Sequence, residues 1–272
     1  MSIQERAAAF QALHQGPGIF VMPNPWDAGT ARVLAGLGFE ALATTSQGLA
    51  NSLGMPDGEV RRKAHMKHAR EIVDATPLPV NGDLENGYGD DPDTVAQTIK
   101  KAAKAGLVGC SIEDASKNPD EPIYPLDLAA KRIKAAAKAA RKLPFPFVLT
   151  ARAENFLYGR ADLPDTIARL QAYEEAGADV LYAPGLREIE DIRKVFEALS
   201  KPVNVLALKG GPSVAELGEA GVRRVSLGSN LHRVAMGAFL RGAQELKDHG
   251  TLGFLDGAAS AKELEPFLAS PD

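Results

Sequence analysis

The chain repeats one pattern eight times: a short apolar run, then a longer amphipathic segment rich in Ala, Lys, Glu and Leu. The short runs predict strands, and the longer segments between them predict helices. Strands that alternate with helices in this way lie parallel and are joined by right-handed crossovers. The predicted strands span 19–22, 41–45, 79–83, 108–113, 147–152, 180–182, 203–207 and 224–227. The predicted helices between them include 27–37, 92–105, 126–141, 163–176, 188–199 and 213–220.

A doubly wound sheet and a closed barrel both satisfy this alternation. Gly106, Gly177 and Gly221 each follow a predicted helix and precede a strand, where a left-handed residue commonly ends a helix. The units are evenly spaced, and none opens with the glycine-rich loop of a nucleotide-binding sheet. We therefore predict one domain, 1–272, folded as a (β/α)8 TIM-type barrel with an N-terminal helix and a C-terminal helical extension over 231–272.

Composition narrows the class of protein. The 272 residues carry a formal net charge of −4 and no Lys/Arg run of the kind that follows a phosphate backbone, which argues against nucleic acid as a partner. No apolar run reaches membrane-spanning length, and the N-terminus is polar. The single cysteine, Cys110, excludes an intrachain disulfide framework and lies in an apolar run, so we expect a buried core residue and a cytoplasmic protein.

Carboxylates cluster at the ends of two predicted neighbouring strands. Asp83 and Glu85 follow the third strand, and Glu113 ends the fourth. Gly87 and Gly89 leave room beside them. Hard oxygen ligands of this kind suit Mg²⁺, with Mn²⁺ as a second choice. Each acid alone could equally be a helix cap or a solvated strand end.

The other predicted strand ends carry further polar groups. In a parallel barrel the active site lies at the carboxyl ends of the strands, so these groups are candidates for substrate contact. They are Trp26, Thr45, Ser46, Gly48, Arg152 and Asn204, and the hydroxyl of Tyr88 on an adjoining loop is a candidate for proton transfer.

Five segments resemble one known family. They are residues 46–57 (SQGLANSLGMPD), 83–89 (DLENGYG), 112–114 (IED), 151–154 (ARAE) and 184–186 (PGL). Together they resemble the isocitrate lyase/phosphoenolpyruvate mutase superfamily over almost the whole chain. The acid-x-acid-x-Gly-aromatic-Gly segment combined with Ile-Glu-Asp is specific, whereas either alone is weak.

The resemblance implies a metal and a class of substrate. Acids at the positions of Asp83, Glu85 and Glu113 would hold Mg²⁺, partly through water molecules. The substrate would be a small 2-oxo or 2-hydroxy carboxylic acid that reacts through an enolate. The resemblance also implies a homo-oligomer, a dimer or tetramer with exchanged C-terminal helices, and residues 231–247 do carry an apolar face.

The resemblance also implies roles for the polar rim. Ser46 and the backbone at Gly48 would receive the substrate carboxylate or oxyanion. Asp57 would lie near the reacting centre, although it could instead cap a helix over 58–73. Arg152 would pair with the leaving or transferring group, although it could form a plain ion pair with Glu154.

One departure from the family bears on the reaction. The lyases carry a Lys-x-Cys-Gly-His segment after Ile-Glu-Asp, whereas residues 115–122 here read ASKNPDEP. Without that cysteine, methylisocitrate cleavage by the usual route is not expected. We predict a metal-dependent carbon–carbon lyase of the oxaloacetate decarboxylase type, with water or a tyrosine such as Tyr88 as proton donor. The alternatives are P–C bond chemistry, which would use Asp57 and a closing loop with Lys117 and Asn118, and non-catalytic binding of a 2-oxo acid.

The histidines give little support for catalysis. His14, His65, His68 and His249 have Lys and Arg neighbours on helical segments, so we predict surface positions. His232 follows the last strand, where we expect it to cap a helix. Asp114 is expected to support the loop rather than to bind a ligand directly.

Overall fold

The computed structural model describes residues 1–268, and its strands and helices alternate along the chain. The strands are β1 Phe20–Met22, β2 Leu42–Ala43, β3 Val80–Asp83, β4 Gly109–Glu113, β5 Val148–Arg152, β6 Val180–Tyr182, β7 Val203–Leu206 and β8 Arg224–Ser226. The helices are α1 Ile3–Gln15, α2 Ala28–Gly36, α3 Ser46–Ser52, α4 Arg62–Ala75, α5 Pro92–Lys104, α6 Leu126–Ala140, α7 Leu163–Glu175, α8 Ile189–Glu197, α9 Val214–Glu219, α10 Asn230–His249 and α11 Ala261–Leu268, with a 3-10 turn at Gly253–Gly257.

The eight strands form a nearly closed parallel barrel. Their order around the sheet is β1-β8-β7-β6-β5-β4-β3-β2. At the remaining gap, the amide of Ala43 donates to the carbonyl of Pro23 (3.0 Å), and Asn24 Nδ2 donates to the carbonyl of Thr44 (2.9 Å). These bonds draw β1 and β2 together, so the predicted (β/α)8 barrel is confirmed.

The strands and helices named in the sequence lie within two residues of the predicted bounds. The helix proposed over 58–73 is the exception, because α4 begins at Arg62 and its N-cap residue is Arg61. Asp57 therefore does not cap that helix. A short helix, α3, is additional; it begins in the segment that follows β2, and Thr45 caps it by accepting from the amide of Gly48 (3.3 Å).

The barrel has an apolar core outside the sheet and a more polar interior inside it. The apolar side chains between the sheet and the helices form the main core, and Cys110 lies there with no exposed surface, as predicted. Burial raises the pKa of its thiol well above the usual value. The inside of the barrel is more polar: Arg224 donates to Asn204 Oδ1 (2.8 Å) and to Thr150 Oγ1 (2.8 Å).

The predicted surface positions of three histidines are wrong. His14, His65 and His68 are all buried, whereas His249 is exposed as predicted. Lys and Arg neighbours do not place a histidine at the surface, because on an amphipathic helix Lys and Arg occupy the face opposite the buried one. On α4, His65 and His68 lie three residues apart and therefore share the inward face.

The burial of His14 predicts how stability responds to acid. Its Nδ1 lies 2.7 Å from the carbonyl of Phe10, and its Nε2 lies 3.1 Å from Arg224 Nη1, so the neutral ring donates to the carbonyl and accepts from the guanidinium. Burial first, and then the charge of Arg224, lower the pKa of His14 to about 3. The unfolded chain therefore takes up this proton below pH 6.5, while the folded chain does not until the pH falls to about 3. Stability is lost over that window.

We expect His14 alone to cost about 2 kcal/mol of unfolding free energy between pH 7 and pH 5. Urea unfolding of the wild type and of His14→Gln at pH 7, 6 and 5 measures it. The difference between the two proteins cancels the contributions of other groups, including His65, whose pKa is lowered to about 4 mainly by burial. Two curves that fall in parallel with pH would contradict the assignment.

The C-terminal extension is helical as predicted over its described residues, and much of it is exposed; residues 269–272 of the predicted extension lie outside the described part of the chain. Within the 20 residues of α10, only His232 and Gly242 are buried. Large apolar side chains are open to solvent along α10 and the turn after it: Val234, Met236, Phe239, Leu240, Leu246, Leu252, Phe254 and Leu255. The last helix, α11, returns to α2, where Arg32 Nη1 donates to the carbonyl of Leu268 (3.1 Å). None of the described helices combines the length and apolar composition needed to cross a bilayer.

Candidate active site

A cavity of about 570 Å³ opens at the carboxyl ends of the barrel strands. The loops after β2, β3, β4, β5, β6 and β8 supply its walls. Most of its lining side chains are polar or charged. They are Thr45, Ser46, Gln47, Asp57, Gly58, Glu59, Asp83, Glu85, Glu113, Lys117, Arg152, Glu154, Leu157, Tyr158, Tyr182, Pro184, Leu206, Gly228 and Ser229.

Arg152 is the centre of the charged wall. Each of its three guanidinium nitrogens contacts a different acid: Nη1 lies 3.0 Å from Asp83, Nη2 lies 3.2 Å from Glu113, and Nε lies 2.7 Å from Glu154. The guanidinium also lies 5.3 Å from the ring centroid of Tyr182. Burial opposes its charge, but the acids together raise the pKa of Arg152 well above the usual value. The ion pair with Glu154 therefore exists, as part of a larger network in the cavity.

Lys117 joins two loops over the same cavity. Its ammonium group donates to Glu85 Oε2 and to the carbonyl of Gly58 (2.7 Å). The backbone of Lys117 has φ +63°, which is uncommon for a residue with a side chain. The loop after β4 is thus tied to the loop after α3 by one side chain.

The acids outnumber the bases in the lining. Six lining residues are acidic, and two, Lys117 and Arg152, are basic. Burial is the main cause of a raised pKa at both Glu85 and Glu113, with nearby carboxylates adding to it and the cations opposing it. Loss of solvation, followed by the charge of Asp83, raises the pKa of Asp57. The lining of this cavity therefore contains more acidic than basic groups.

The loop that carries Glu85 has an unusual backbone. Glu85 has φ +50° and Tyr88 has φ +67°, on either side of Gly87 at φ +79°. Left-handed conformations at bulky residues cost of order 1–3 kcal/mol each and persist only where the surroundings hold them. The fold must therefore supply contacts that fix this loop.

Arg132 of α6 supplies the contacts that fix the loop after β3. It has 1% relative exposure, and it donates to the carbonyls of Asn86, Gly89 (3.1 Å) and Glu113 (3.2 Å). Its guanidinium stacks 4.1 Å from the ring centroid of Tyr124. One buried side chain thus holds the backbone of the loop after β3 against the end of β4.

Asp114 has the supporting role that the sequence predicts. It does not line the cavity, and its oxygens accept from the amide of Glu154 (2.8 Å), from Arg169 Nη1 (3.1 Å) and from the hydroxyl of Tyr173 (2.6 Å). These bonds join the ends of β4 and β5 to α7. Asp114 therefore fixes the backbone that positions Glu113 and Glu154.

Seven of the predicted site residues share the cavity: Thr45, Ser46, Asp57, Asp83, Glu85, Glu113 and Arg152. The amide of Ser46 donates to Asp83 Oδ2 (3.1 Å). The segment after β2 is thereby linked to the acids of β3. Six of the seven residues lie at predicted strand ends, whereas Asp57 was expected from the family resemblance, and the individual roles of all seven stay predictions.

Four predicted site residues do not line this cavity. The amide of Gly48 donates to the N-cap residue Thr45 of α3, Trp26 packs edge-on against His232, and the hydroxyl of Tyr88 bonds to His65 Nδ1. Asn204 lies deeper in the barrel, beside a separate space of about 40 Å³, where it donates to Ser226 Oγ (2.9 Å).

The cavity also contains groups that the sequence did not single out. Leu157 and Tyr158 come from the loop after β5, and Gln47 accepts from Ser229 Oγ. Tyr158 places a tyrosine at this cavity. It remains 43% exposed, and partial loss of solvation is the main cause of its raised pKa. Tyr158 is hard to recognise as a site residue from the sequence, because an aromatic residue followed by Gly159 is also typical of an ordinary surface turn.

A divalent cation fits this donor set on three observations. Asp83, Glu85 and Glu113 face one cavity, the lining is short of positive charge, and Glu85 Oε1 is buried without a hydrogen-bond partner. Among residues 1–268, however, no three acid, imidazole or thiol groups converge closely enough to enclose an ion by themselves. Mg²⁺ commonly keeps several waters, so acids at this spacing suit a shell completed by water and substrate.

Known proteins share both the sequence and the fold. The profile of the phosphoenolpyruvate phosphomutase family matches residues 10–247. A 2-methylisocitrate lyase from Halalkalibacterium halodurans is 30% identical over 261 residues, which cover 92% of this chain and 85% of the relative.

Two solved structures superimpose closely. A Burkholderia cenocepacia protein, provisionally assigned as a lyase/mutase, is 54% identical with a TM-score of 0.96 and covers 99% of this chain and 98% of its own. Oxaloacetate acetylhydrolase in complex with its product oxalate is 28% identical with a TM-score of 0.86 and covers 97% of this chain and 94% of its own. The chain belongs to the phosphoenolpyruvate mutase/isocitrate lyase superfamily of enzymes.

Proposed function

We propose that this protein is a Mg²⁺-dependent lyase that cleaves a carbon–carbon bond of a small 2-oxo or 2-hydroxy acid, with oxaloacetate as the leading candidate. The observation that carries the proposal is the acid-rich cavity: six lining acids face two lining cations, around a buried oxygen of Glu85 that has no partner. An anionic substrate would be repelled from such a cavity unless a cation entered with it. A relative of similar fold, oxaloacetate acetylhydrolase, acts on a substrate of this class.

Each charged group then has a task. Asp83, Glu85 and Glu113 would hold the cation, which would act as a Lewis acid toward the substrate oxygens. Arg152 would orient the substrate carboxylate, because its planar fork suits two carboxylate oxygens. Its η nitrogens contact Asp83 and Glu113 in this structure, so substrate and metal binding are expected to be coupled.

The proton donor is proposed at the cavity rather than on the strained loop. Tyr158 lines the cavity, whereas the hydroxyl of Tyr88 is engaged with His65. When the bond to the departing carbon breaks, the electron pair remains on the substrate as an enolate and must be protonated. Tyr158 or a water beside it would deliver that proton.

The absence of a thiol supports a substrate other than methylisocitrate. The only cysteine, Cys110, is fully buried in the core, so no thiol reaches the cavity. The loop at 115–122 places Lys117 there instead. We infer that the chemistry relies on the cation, Arg152 and a hydroxyl group.

One observation favours a second candidate, cleavage of a P–C bond in phosphonopyruvate. Asp57 and Lys117 line the same cavity, and Lys117 already contacts the loop that carries Gly58. An acid and a cation over the substrate are what such a reaction would need. The family profile, phosphoenolpyruvate phosphomutase, agrees with this alternative.

An assay with three candidate substrates separates these functions. Purified protein is incubated with oxaloacetate, phosphonopyruvate or 2-methylisocitrate in the presence of Mg²⁺ or EDTA, and products are identified by carbon and phosphorus NMR. We expect Mg²⁺-dependent loss of oxaloacetate; pyruvate with CO₂ indicates decarboxylation, and oxalate with acetate indicates hydrolysis. Glu113→Gln is the control for oxaloacetate loss caused by Mg²⁺ alone. Turnover of 2-methylisocitrate only would contradict the proposal.

We also propose a homo-oligomer, in the cytoplasm, whose contacts include α10. Exposed apolar side chains on its surface, such as Phe239 and Leu240, are typical of a face that another subunit covers. Light scattering should give a multiple of 28.8 kDa for the wild type and a smaller particle for Phe239→Glu. Arg241→Glu, an exposed polar site on the same helix, serves as control, and a 28.8 kDa wild type would contradict the proposal.

A further inference from the structure

A second cavity, of about 580 Å³, lies between α4 and α5 and is lined by cations. Seven of its nine lining residues are Arg or Lys, and none is acidic. The other two, Met66 and Ala105, give it a small apolar surface. The seven cations are Arg61, Arg62, Lys63, Lys67, Arg70, Lys101 and Lys104. We call this cavity the cationic groove.

The stability of α4 does not explain why three of these cations are present at its start. Arg61, Arg62 and Lys63 stand at the start of α4, which has no acid in its first turn and no side-chain cap. The helix dipole disfavours positive charge there. Lys101 and Lys104, by contrast, lie in the last turn of α5, where the dipole favours them.

The groove is also partly fixed in shape. Arg62 Nη1 donates to Thr98 Oγ1 (3.0 Å), and Arg70 donates to the carbonyl of Lys104, so both side chains bridge the two helices. Two nearby acids pair with groove cations, Glu71 with Lys67 (3.6 Å) and Asp74 with Arg70 (3.9 Å), and both pairs are exposed and therefore weak. Among the described residues, Arg61, Lys63, Lys101 and Lys104 make no ion pair.

The distribution of charge over the molecule favours a compact anionic partner over an extended one. The whole chain has a net charge of −4 and the groove carries seven positive charges, so everything outside the groove carries a net charge of −11. An extended polyanion such as nucleic acid, or an anionic membrane, would meet that repulsion beyond the groove. A small anion that concentrates its charge inside the groove would not.

We propose that the cationic groove binds a compact polyphosphate anion of the size of a nucleoside triphosphate. Several phosphate groups would satisfy the clustered Arg and Lys side chains, and the apolar contact at Met66 would accept part of a base or sugar. Arg61 and Arg62 also line a shallow depression that reaches Lys117 at the edge of the candidate active site. An anion there would act close to that loop. This proposal does not depend on the reaction that the enzyme catalyses.

Calorimetric titration with ATP in EDTA tests the proposal, because the metal-free, acid-rich cavity at the barrel mouth repels polyanions. The test variant is Lys67→Gln/Lys101→Gln/Lys104→Gln. The matched control is Lys131→Gln/Lys134→Gln/Lys138→Gln, which removes the same charge from exposed positions on α6. Equal thermal melts establish that both variants are folded.

We expect ATP to bind the wild type and the control alike, and the groove variant at least about tenfold more weakly. A single-stranded 20-mer oligonucleotide should bind more weakly than ATP. The proposal is overturned by undetectable ATP binding to the wild type, by equal losses in both triple variants, or by tighter binding of the oligonucleotide.

Discussion

Replacing Arg152 with Lys is expected to lower kcat/KM for the substrate about 10³-fold, or about 4 kcal/mol. Three separate nitrogens of Arg152 contact Asp83, Glu113 and Glu154 at 2.7 to 3.2 Å. An ammonium group keeps the charge but has no planar fork, so it can replace only part of this arrangement. The change therefore tests geometry rather than charge.

The matched control is Arg187→Lys, the same substitution on an exposed loop after β6, where Arg187 Nη1 donates only to the carbonyl of Lys209 (3.2 Å). Steady-state kinetics of the three proteins should show a loss only in Arg152→Lys. If Arg152→Lys keeps a third or more of the wild-type kcat/KM, Arg152 is not the centre of this site.

The second large effect is expected at Arg132, which never touches the cavity. Replacing it with Met fills similar space but leaves the carbonyls of Asn86, Gly89 and Glu113 without their donor. Buried hydrogen bonds to a charged group contribute about 1.5–3 kcal/mol each in isolation, and relief of the buried charge offsets part of their loss, so we expect a net destabilisation of about 2–4 kcal/mol.

A further readout distinguishes positioning from stability alone. The loop that Arg132 fixes carries Glu85 in a left-handed conformation, so the apparent Mg²⁺ affinity of folded Arg132→Met should fall about 10- to 100-fold. The control is Arg193→Met, an exposed arginine on α8 that pairs only with Glu190. Arg132→Met with unchanged Mg²⁺ dependence would show that the residue supports the fold and not the site.

The barrel and the location of the site could be predicted because both follow from short-range patterns. Alternating apolar runs and glycine-terminated helices fixed the order of elements, and parallel strands place their carboxyl ends together. Asp83, Glu113 and Arg152, each the last residue of its strand, therefore meet without any further information.

The remaining features depend on backbone and side-chain geometry that patterns do not encode. Tyr88 lies three residues after Glu85, yet its left-handed backbone accompanies a ring that reaches His65 instead of the cavity. Asn204 lies two residues before the end of β7, which places it in the polar interior of the barrel with Arg224. The cationic groove between α4 and α5 could not be predicted from the sequence, because its Arg and Lys residues come from segments some 30 residues apart.

The most direct test is a calorimetric titration of Mg²⁺ into metal-free protein, with and without oxalate, for the wild type and for Asp83→Asn and Glu113→Gln. We predict one bound ion per chain in the wild type, tighter binding with oxalate, and at least about tenfold weaker binding in both variants. Absence of Mg²⁺ uptake by the wild type, or unchanged affinity in both variants, would contradict the account.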